Sequence, residues 1–569
     1  MRVLGSRTLA FAACLLLAAI ASPAAARLVD APTKVARWDV GEITLSSDQV
    51  YANPVSDVTL SAEFRSPSGK MFRPEGFFDG GHVWKVRIMP GEEGRWTFRT
   101  VSNDPALSGK NGSFTVAAPR AGDRGPVRAV NTYHFAYTDG TPYFMLGTTQ
   151  YGGLIGGTQE RERMLGRLQH TAFNKARFML LGGNFFDRGD TPRPFEVGAD
   201  GKMDLSRPNP AYFREVEKGL RGLQAEHVQA DVILFIPYAE ALGPGNTSDM
   251  GPKADEAYLH YAVARLAAFD NVWWTLANEF DLFKVQKDWK RLGELVSGAD
   301  PYGHLLSIHH SVLGYYDNRQ PWITHVNIQD VTMQRLAKGP RDLGALELDA
   351  RAIGKPVVVD EYGYEGDNGL TWGSFSAREI VDMHWSVVMA GAYGSHGESY
   401  FGSNDAPDFV GDSPPRLAFL KDVLAEAPFQ DLVPASNIVS YSGQLFAPSA
   451  LAKRGSYYLI YFPAPRELAD WNTGFFGPAT PAKPLPLAEP YGDLKLGHPP
   501  VTINIAPGTY KVDLIDPWLM RITTIGYTTG SEQPYTPRIA PGLLRLTRVD
   551  APPPGERVAP IDQLGAGRR

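Results

Sequence analysis

The sequence predicts a multidomain chain, a central (β/α)8 TIM barrel flanked by N-terminal and C-terminal β-sandwich domains. Three observations predict it. Between about Arg128 and Ala427, eight apolar strand-like runs alternate with stretches of helical periodicity, the rhythm of a barrel of roughly 300 residues. On both sides the pattern changes to short alternating runs punctuated by Gly, Pro, Asp and Ser, which suits two-layered β domains. Finally, 569 residues are more than one core usually organises.

Residues 1–26 read as a signal peptide. Arg2 and Arg7 supply a positive start, Leu9 to Ile20 an apolar run, and Ala24-Ala25-Ala26 a small-residue cleavage site. The run falls short of the ~20 residues that cross a bilayer, and no second candidate follows. The mature chain is therefore expected to be exported, to the periplasm or beyond, without stable membrane insertion. Cys14 is the only cysteine and lies inside this leader, which excludes disulfides, thiolate metal sites and a cysteine nucleophile from the mature chain. Phe11-Ala12-Ala13-Cys14 makes a poor lipoprotein signal, because the apolar run continues past the cysteine. A net charge of −6 with 21% charged residues argues against a nucleic-acid partner, which calls for a concentrated basic surface.

Residues 27–120 are expected to form an immunoglobulin-like β-sandwich. Val35–Leu45, Val58–Phe64, Val83–Met89, Arg95–Val101 and Gly112–Val116 are its strand candidates, separated by turns such as Ser66-Pro67-Ser68-Gly69 and Pro90-Gly91-Glu92-Glu93-Gly94. The segment Gly76-Phe77-Phe78-Asp79-Gly80-Gly81, with Trp84 to Pro90 and Gly94 to Phe98, resembles the DUF5060 domain that precedes glycosidase-like barrels in bacteria. That resemblance implies a packing or accessory module.

Residues 127–428 carry the barrel. Its strands are expected at Tyr143–Thr148, Ala176–Leu181, Asp231–Pro237, Val272–Leu276, Leu305–His309, His325–Ile328, Pro356–Asp360 and Ala392–Ser395. Arg161–His170, Tyr212–Glu226, Ala254–Phe269, Trp289–Val296 and Arg378–Met389 show helical spacing between them. An open doubly wound sheet is the rival, but no glycine-rich phosphate fingerprint follows the first strand. Residues 430–550 return to β, with runs at Ser456–Phe462, Val501–Ile505, Gly508–Ile515 and Gly542–Arg548. Residues 551–569, rich in Pro, Gly and Arg, are expected to be a disordered tail.

Barrel strands aim their C-terminal ends at the active site, so those ends are where chemistry is sought. Trp273 to Phe280 is a hydrophobic strand that stops at Asn278-Glu279, the fourth by count. Lys355 to Gly363 is another, the seventh, stopping at Asp360-Glu361-Tyr362. A carboxylate at the mouth of an apolar strand loses solvation, which raises its pKa toward the acid/base range. Taken alone, Glu279 reads better as a solvated or capping carboxylate that begins the following loop. Two such glutamates together suit glycoside hydrolysis, which places two carboxyls about the scissile bond.

Glutamates ending strands four and seven resemble the large barrel clan of retaining glycosidases. The resemblance implies Glu279 as acid/base and Glu361 as nucleophile, with Asn278 holding a substrate hydroxyl. Phe173 to Leu180 is similar to the clan's second strand, so Arg177 is expected to hydrogen-bond Glu361; an arginine so placed favours the charged carboxylate. A structural ion pair is the alternative for Arg177. The order of domains, with Pro142 to Thr148 and Asp513 to Trp518, resembles bacterial proteins that join DUF5060, an apiosidase-like (DUF4038) barrel and a DUF5605 β-sandwich. This implies breakdown of a polysaccharide or oligosaccharide outside the cytoplasm.

Further substrate-binding candidates sit at other strand ends: Gln150 and Tyr151 after strand one, Tyr238 and Glu240 after strand three, His309 and His310 at strand five. Tyr362 follows strand seven, and strand eight runs into Gly394 to Tyr400, which contributes His396 and Glu398. Adjacent strand residues face opposite ways, so only one of His309 and His310 should face the site. Asp187, Asp190 and Asp330 show no metal-ligand spacing, and no HExxH motif occurs; no metal and no cofactor are expected. A non-catalytic carbohydrate-binding protein on a glycosidase-like barrel is the alternative function, and the presence of both glutamates disfavours it.

Overall fold

The computed structural model describes residues 27–181, 192–238, 250–311, 314–330, 344–399, 411–441, 448–463 and 499–565. Its centre is a barrel of eight parallel strands: β1 (Gly147–Thr149), β2 (Lys175–Met179), β3 (Gln229–Phe235), β4 (Val272–Ala277), β5 (Leu306–Ser307), β6 (Val326–Gln329), β7 (Val357–Glu361) and β8 (Tyr393–His396). Their order around the ring is β5-β4-β3-β2-β1-β8-β7-β6. A single parallel bridge, His309 to Asn327, spans the remaining gap between β5 and β6. Every residue of β2, β3, β4 and β7 is buried, as expected for strands covered on both faces.

Helices α1 (Gly157–Gln169), α2 (Pro210–Ala225), α3 (Pro252–Leu266), α4 (Trp289–Ala299), α5 (Ala345–Arg351), α6 (Ala377–Met389) and α7 (Pro414–Ala425) follow strands one to four and six to eight. Their starts are written locally. Asn209 caps α2 through the Ala211 N–H with Pro210 in the first turn, and Ser376 with Glu379 forms a reciprocal capping box on α6. Among the described residues no helix joins β5 to β6.

The first strand departs from expectation. Pro142–Tyr143 pairs instead with His134–Tyr137, which pairs with Val127–Val130. The barrel strand begins only at Gly147, where the chain passes so close to β8 that a Cβ would collide with Ser395 Oγ. The diverted hairpin supplies a floor: Phe135 packs on Trp273 and Tyr393 at centroid distances of 5.2 and 5.0 Å. Above this apolar layer the interior is polar and charged. Lys175, Asp231, Thr275, Ser307, Asn327, Asp360 and Ser395 are all buried there.

The N-terminal sandwich stacks a four-stranded sheet, holding Gly41–Ser46 and Val83–Ile88, on a five-stranded one holding Gly94–Ser102 and Asn111–Ala117. Trp84, Trp96, Phe64, Phe98 and Phe114 fill its core. Its Gly-Phe-Phe-Asp-Gly-Gly segment is the docking edge. Phe77 enters the barrel's helix-layer core, with Arg87 and Arg265 over its ring at 4.9 and 4.5 Å. Arg87 and Arg265 both bind Glu217 of α2, at 2.8 and 2.7 Å, and Arg265 reaches Asp79 at 2.9 Å.

The C-terminal domain pairs a six-stranded antiparallel sheet with a three-stranded one. It rests on α6 and α7 through Tyr461, stacked on Trp385, and Trp518, with Arg378 and Arg416 over its ring. The stretch expected to be a disordered tail is instead part of this domain. Val558 bridges to Tyr527, the Ile561 N–H donates to Gln533 Oε1 at 2.9 Å, and Ile561 and Leu564 are fully buried in the core. Two well-placed apolar side chains anchor a segment whose composition alone suggests none. Residues 566–569 and residues 1–26, the expected signal peptide, lie outside the described residues.

Candidate active site

Strand alternation sets Lys175 and Arg177 of β2 inside the barrel, with Ala176 and Phe178 against the helices. Asp360 and Glu361 of β7 are consecutive, so a regular strand would send one of them outward. The β6–β7 register slips by one residue between Ile328 and Gln329, matching Val359 and then Glu361. This bulge brings both carboxylates to Arg177. At the end of β4, Glu279 adopts a left-handed conformation with φ 42°. The turn is tied down by His309, which donates its N–H to the Ala277 carbonyl at 3.0 Å, while its own carbonyl accepts from Phe280 at 3.0 Å.

Arg177 organises the mouth. Its Nη1 donates to Glu361 Oε1 at 3.0 Å, its Nη2 to Asn278 Oδ1 at 2.8 Å, and its Nε lies 3.4 Å from Asp360. Burial works against its charge, yet Tyr151, Asp360 and Glu361 raise its pKa well above the usual value. Beneath it, Lys175 Nζ lies 2.7 Å from both Asp231 and Asp360, and Ser395 Oγ donates to Asp360 at 2.5 Å. Although burial opposes ionisation, Lys175 and Arg177 hold the Asp360 carboxyl well below the usual carboxylate range.

The two mouth glutamates have unequal surroundings. Glu361 Oε1 accepts from the Tyr151 hydroxyl as well as from Arg177, and Tyr151 in turn lies 3.2 Å from the Tyr364 hydroxyl. Burial, the Glu361 charge and other neighbours push the Tyr151 pKa far up, so it remains a phenol and a donor. Glu279 instead has its carboxyl driven well above the usual range, first by burial, then by the charges of Glu361 and Asp281. Asp281 is fixed by the Ser311 N–H at 2.7 Å and hydroxyl at 2.5 Å. The Glu279 N–H points to His309 Nδ1 at 3.4 Å. Burial, Arg177 and His310 lower the His309 pKa far below its usual value, keeping that ring neutral. Among the described residues no cluster of three or more His, Asp or Glu is arranged for a metal ion.

Of the residues singled out from sequence, Glu279, Glu361, Asn278, Arg177 and His309 meet at this mouth. Gln150 adjoins them, its N–H donating to the Arg177 carbonyl at 3.0 Å, and Tyr238 packs by Met179, Ile233 and Ile236 beside Tyr151. His310 turns to the Ser311 carbonyl at 2.7 Å. Three candidates are corrected. Tyr362 lies under α6, its hydroxyl 2.7 Å from His384 Nδ1. His396 stacks on Phe173 with Nε2 3.7 Å from Glu365, because alternation turns Ser395 inward and its neighbour outward. Glu398 pairs with Arg167 of α1 at 3.4 Å. Glu240, Asp187, Asp190 and Tyr400 lie outside the described residues. Sequence reasoning missed Asp281, Gln329 and Tyr364; the strand-end rule applied to β6 points to Gln329, whereas the other two sit on turns with no such signal.

The parallel eight-stranded barrel is a glycoside hydrolase-like catalytic domain by its family match and its likeness to solved structures. More particularly, residues 129–410 match the model of the apiosidase-like catalytic domain, and residues 34–103 match that of DUF5060, a domain of unknown function. A candidate glycoside hydrolase from Bacteroides vulgatus is similar over 91% of this chain and 100% of its own, at 28% identity and a TM-score of 0.74. A family 5 glycoside hydrolase from the same species shares the fold over 75% of this chain and 94% of its own, at 14% identity and a TM-score of 0.56. No curated protein matches the chain.

Proposed function

We propose that this chain is an exported, retaining glycoside hydrolase acting on a poly- or oligosaccharide by double displacement. The observation that carries the reading is the unequal environment of two buried glutamates: Glu361 is clamped by Arg177 and Tyr151, while Glu279 is biased toward its protonated form. In the first step Glu279 gives its proton to the departing glycosidic oxygen. Glu361 attacks the anomeric carbon, and the sugar–oxygen bond breaks. In the second, water loses a proton to Glu279 and bonds to the anomeric carbon, and the ester to Glu361 opens. Arg177 and Asn278 hold the nucleophile and the sugar. Likeness to the apiosidase-like domain supports a carbohydrate substrate, and the leader supports export. The two β-sandwiches brace the barrel, the second being of the DUF5605 kind.

The test is release of reducing sugar from plant, algal and bacterial polysaccharides by wild type, Glu279→Ala and Glu361→Ala. Loss in both variants is expected. Activity that survives either change removes that residue from its role, and glycan binding without turnover in the wild type would favour a binding protein.

A further inference from the structure

A second carboxylate precedes Glu361 on β7 and is tied from three sides. Asp360 Oδ1 accepts from Lys175 Nζ at 2.7 Å and from the Ser395 hydroxyl at 2.5 Å. Its Oδ2 lies 3.4 Å from Arg177 Nε, and its backbone carbonyl accepts from Arg177 Nη1 at 3.4 Å. Asp360, Lys175, Arg177 and Ser395 are all buried, so these charges act where water screens them little. The row of residues beside them shows how they meet. Lys175 of β2, Gly147 of β1 and Ser395 of β8 stand level across the parallel ladders. The glycine puts no side chain between its neighbours, and a Cβ there would collide with Ser395 Oγ. Lys175 can therefore reach past β1 to the same oxygen that Ser395 meets from β8.

Counting charges gives this carboxylate a purpose. Two cations, Lys175 and Arg177, face three anions, Asp231, Asp360 and Glu361. Asp231, which also accepts from the Thr275 hydroxyl at 2.7 Å, answers Lys175, and Glu361 answers Arg177. Ion pairing alone does not call for Asp360, and burying a further charge is costly. What Asp360 adds is direction. It meets the guanidinium at Nε, while Nη1 is given to Glu361 and Nη2 to Asn278. A planar group held at all three nitrogens cannot swing away from any one partner.

We propose that Asp360 is a positioning residue for Glu361: anchored by Lys175 and Ser395, it fixes the Arg177 guanidinium so that the nucleophile is held in line for attack. This rests on the reading of Glu361 as the nucleophile. Asp360 exchanges no proton and forms no bond to the sugar. Its value is greatest between the two half-reactions. When the glycosyl ester forms, Glu361 gives up its charge, and Arg177 would be left with the neutral Asn278 alone. Asp360 then remains as the anion that keeps the guanidinium in place, and the two cations face two anions. Once water bonds to the anomeric carbon, the ester electron pair returns to a Glu361 that meets Arg177 where it left it.

Asp360→Asn is the test, because it leaves Lys175 with Asp231 and Arg177 with Glu361 and so should fold. Crystal structures of wild type and variant, which need no substrate, should show the Arg177 guanidinium displaced from Glu361 by about 0.5 Å or more, the tolerance of a working site. On the polysaccharide that wild type cleaves, kcat should fall about 10-fold or more without a matching rise in KM. A merely structural role would lower the yield of folded enzyme and leave kcat per folded molecule unchanged. Ser395→Ala withdraws one donor from Asp360 and no charge. It should move the guanidinium and kcat in the same direction by less, and it carries the test if the Asn variant does not fold. An unmoved guanidinium or an unchanged kcat overturns the role of Asp360 and leaves Glu361 standing as nucleophile. Sugar release that survives in Glu361→Ala removes the nucleophile reading, and the role of Asp360 with it.

Discussion

Arg177 Nη1 meets Glu361 Oε1 at 3.0 Å across the barrel, joining β2 to β7. The same guanidinium spans Asn278 and Asp360, so one planar group sets three residues at once. Only a fork of fixed geometry does this; a lysine offers a single point charge.

Replacing Arg177 should therefore cost both function and stability. Arg177→Met leaves Glu361 without its ion-pair partner and weakens compensation of Asp360; a broken buried pair costs about 3–5 kcal/mol. Denaturant unfolding should show that loss. Arg177→Lys should recover part of the stability while sugar release stays at least about 10-fold down, since the positioning is not restored. Full activity in the lysine variant would reduce Arg177 to a structural charge.

Tyr151→Phe removes the neutral donor to Glu361 without removing the ring. Unfolding free energy should fall by only about 0.5–1.5 kcal/mol. The rate of hydrolysis should drop about 10-fold or more, the equivalent of roughly 1.4 kcal/mol in the transition state. Equal rates for the two proteins would show that Arg177 alone positions the nucleophile.

The pH dependence follows from Glu279. Its folded pKa is raised, first by burial, so the stability linked to its proton is fully present below the unfolded value of about 4.3 and is lost as pH rises through the folded value. Glu279→Gln should accordingly unfold at higher temperature than wild type at alkaline pH, with the gap closing toward acid. In wild type, the basic limb of the rate profile should report loss of this proton. A gap that widened toward acid would reverse the sign of the argument.

The joint between the first two domains should respond to Glu217. Burial opposes its charge, but Arg87 and Arg265 lower its pKa to about 2. The stability it contributes is present above the unfolded value and fades as pH falls through that region. Glu217→Ala takes the shared carboxylate from Arg87 and Arg265, which keep Glu42 and Asp79, so the cost should stay below roughly 3–5 kcal/mol, the figure for an unpaired buried charge. Calorimetry should show the sandwich separating as an earlier transition, whereas one unshifted transition would mean that the network is dispensable.

Truncation before Ala551 tests the chain's end. Removing Ile561 and Leu564 from the C-terminal core should cost about 2–5 kcal/mol for each large cavity. A truncated protein as stable as the full chain would return this segment to the status of a tail.

Much of this molecule was legible in the sequence because strand periodicity and strand-end position are local signals. The run from Trp273 to Leu276 announces a buried strand, and Glu279 after it is legible as a strand-end carboxyl, without reference to any distant residue. Rank along the chain then pairs Glu279 with Glu361. The same rule failed at Tyr362, His396 and Glu398, because which residue faces inward depends on bulges and on how each strand exits. At β7 the slip against β6 put Asp360 and Glu361 on one side; at β8, where the exit is regular, His396 went to the helices.

The sequence by itself determined the three-part architecture, the barrel rhythm and the two glutamates, since each is written in hydrophobic period and residue order. Only the tertiary structure decided which polar groups meet. Tyr151 and Asp281 lie far from Glu361 or without a periodic signal, and they act through hydrogen bonds and fields that fall off within a few ångströms. Closing the ring points the ends of β1, β2, β4 and β7 into one mouth, and that proximity gives two chemically identical carboxyls different surroundings.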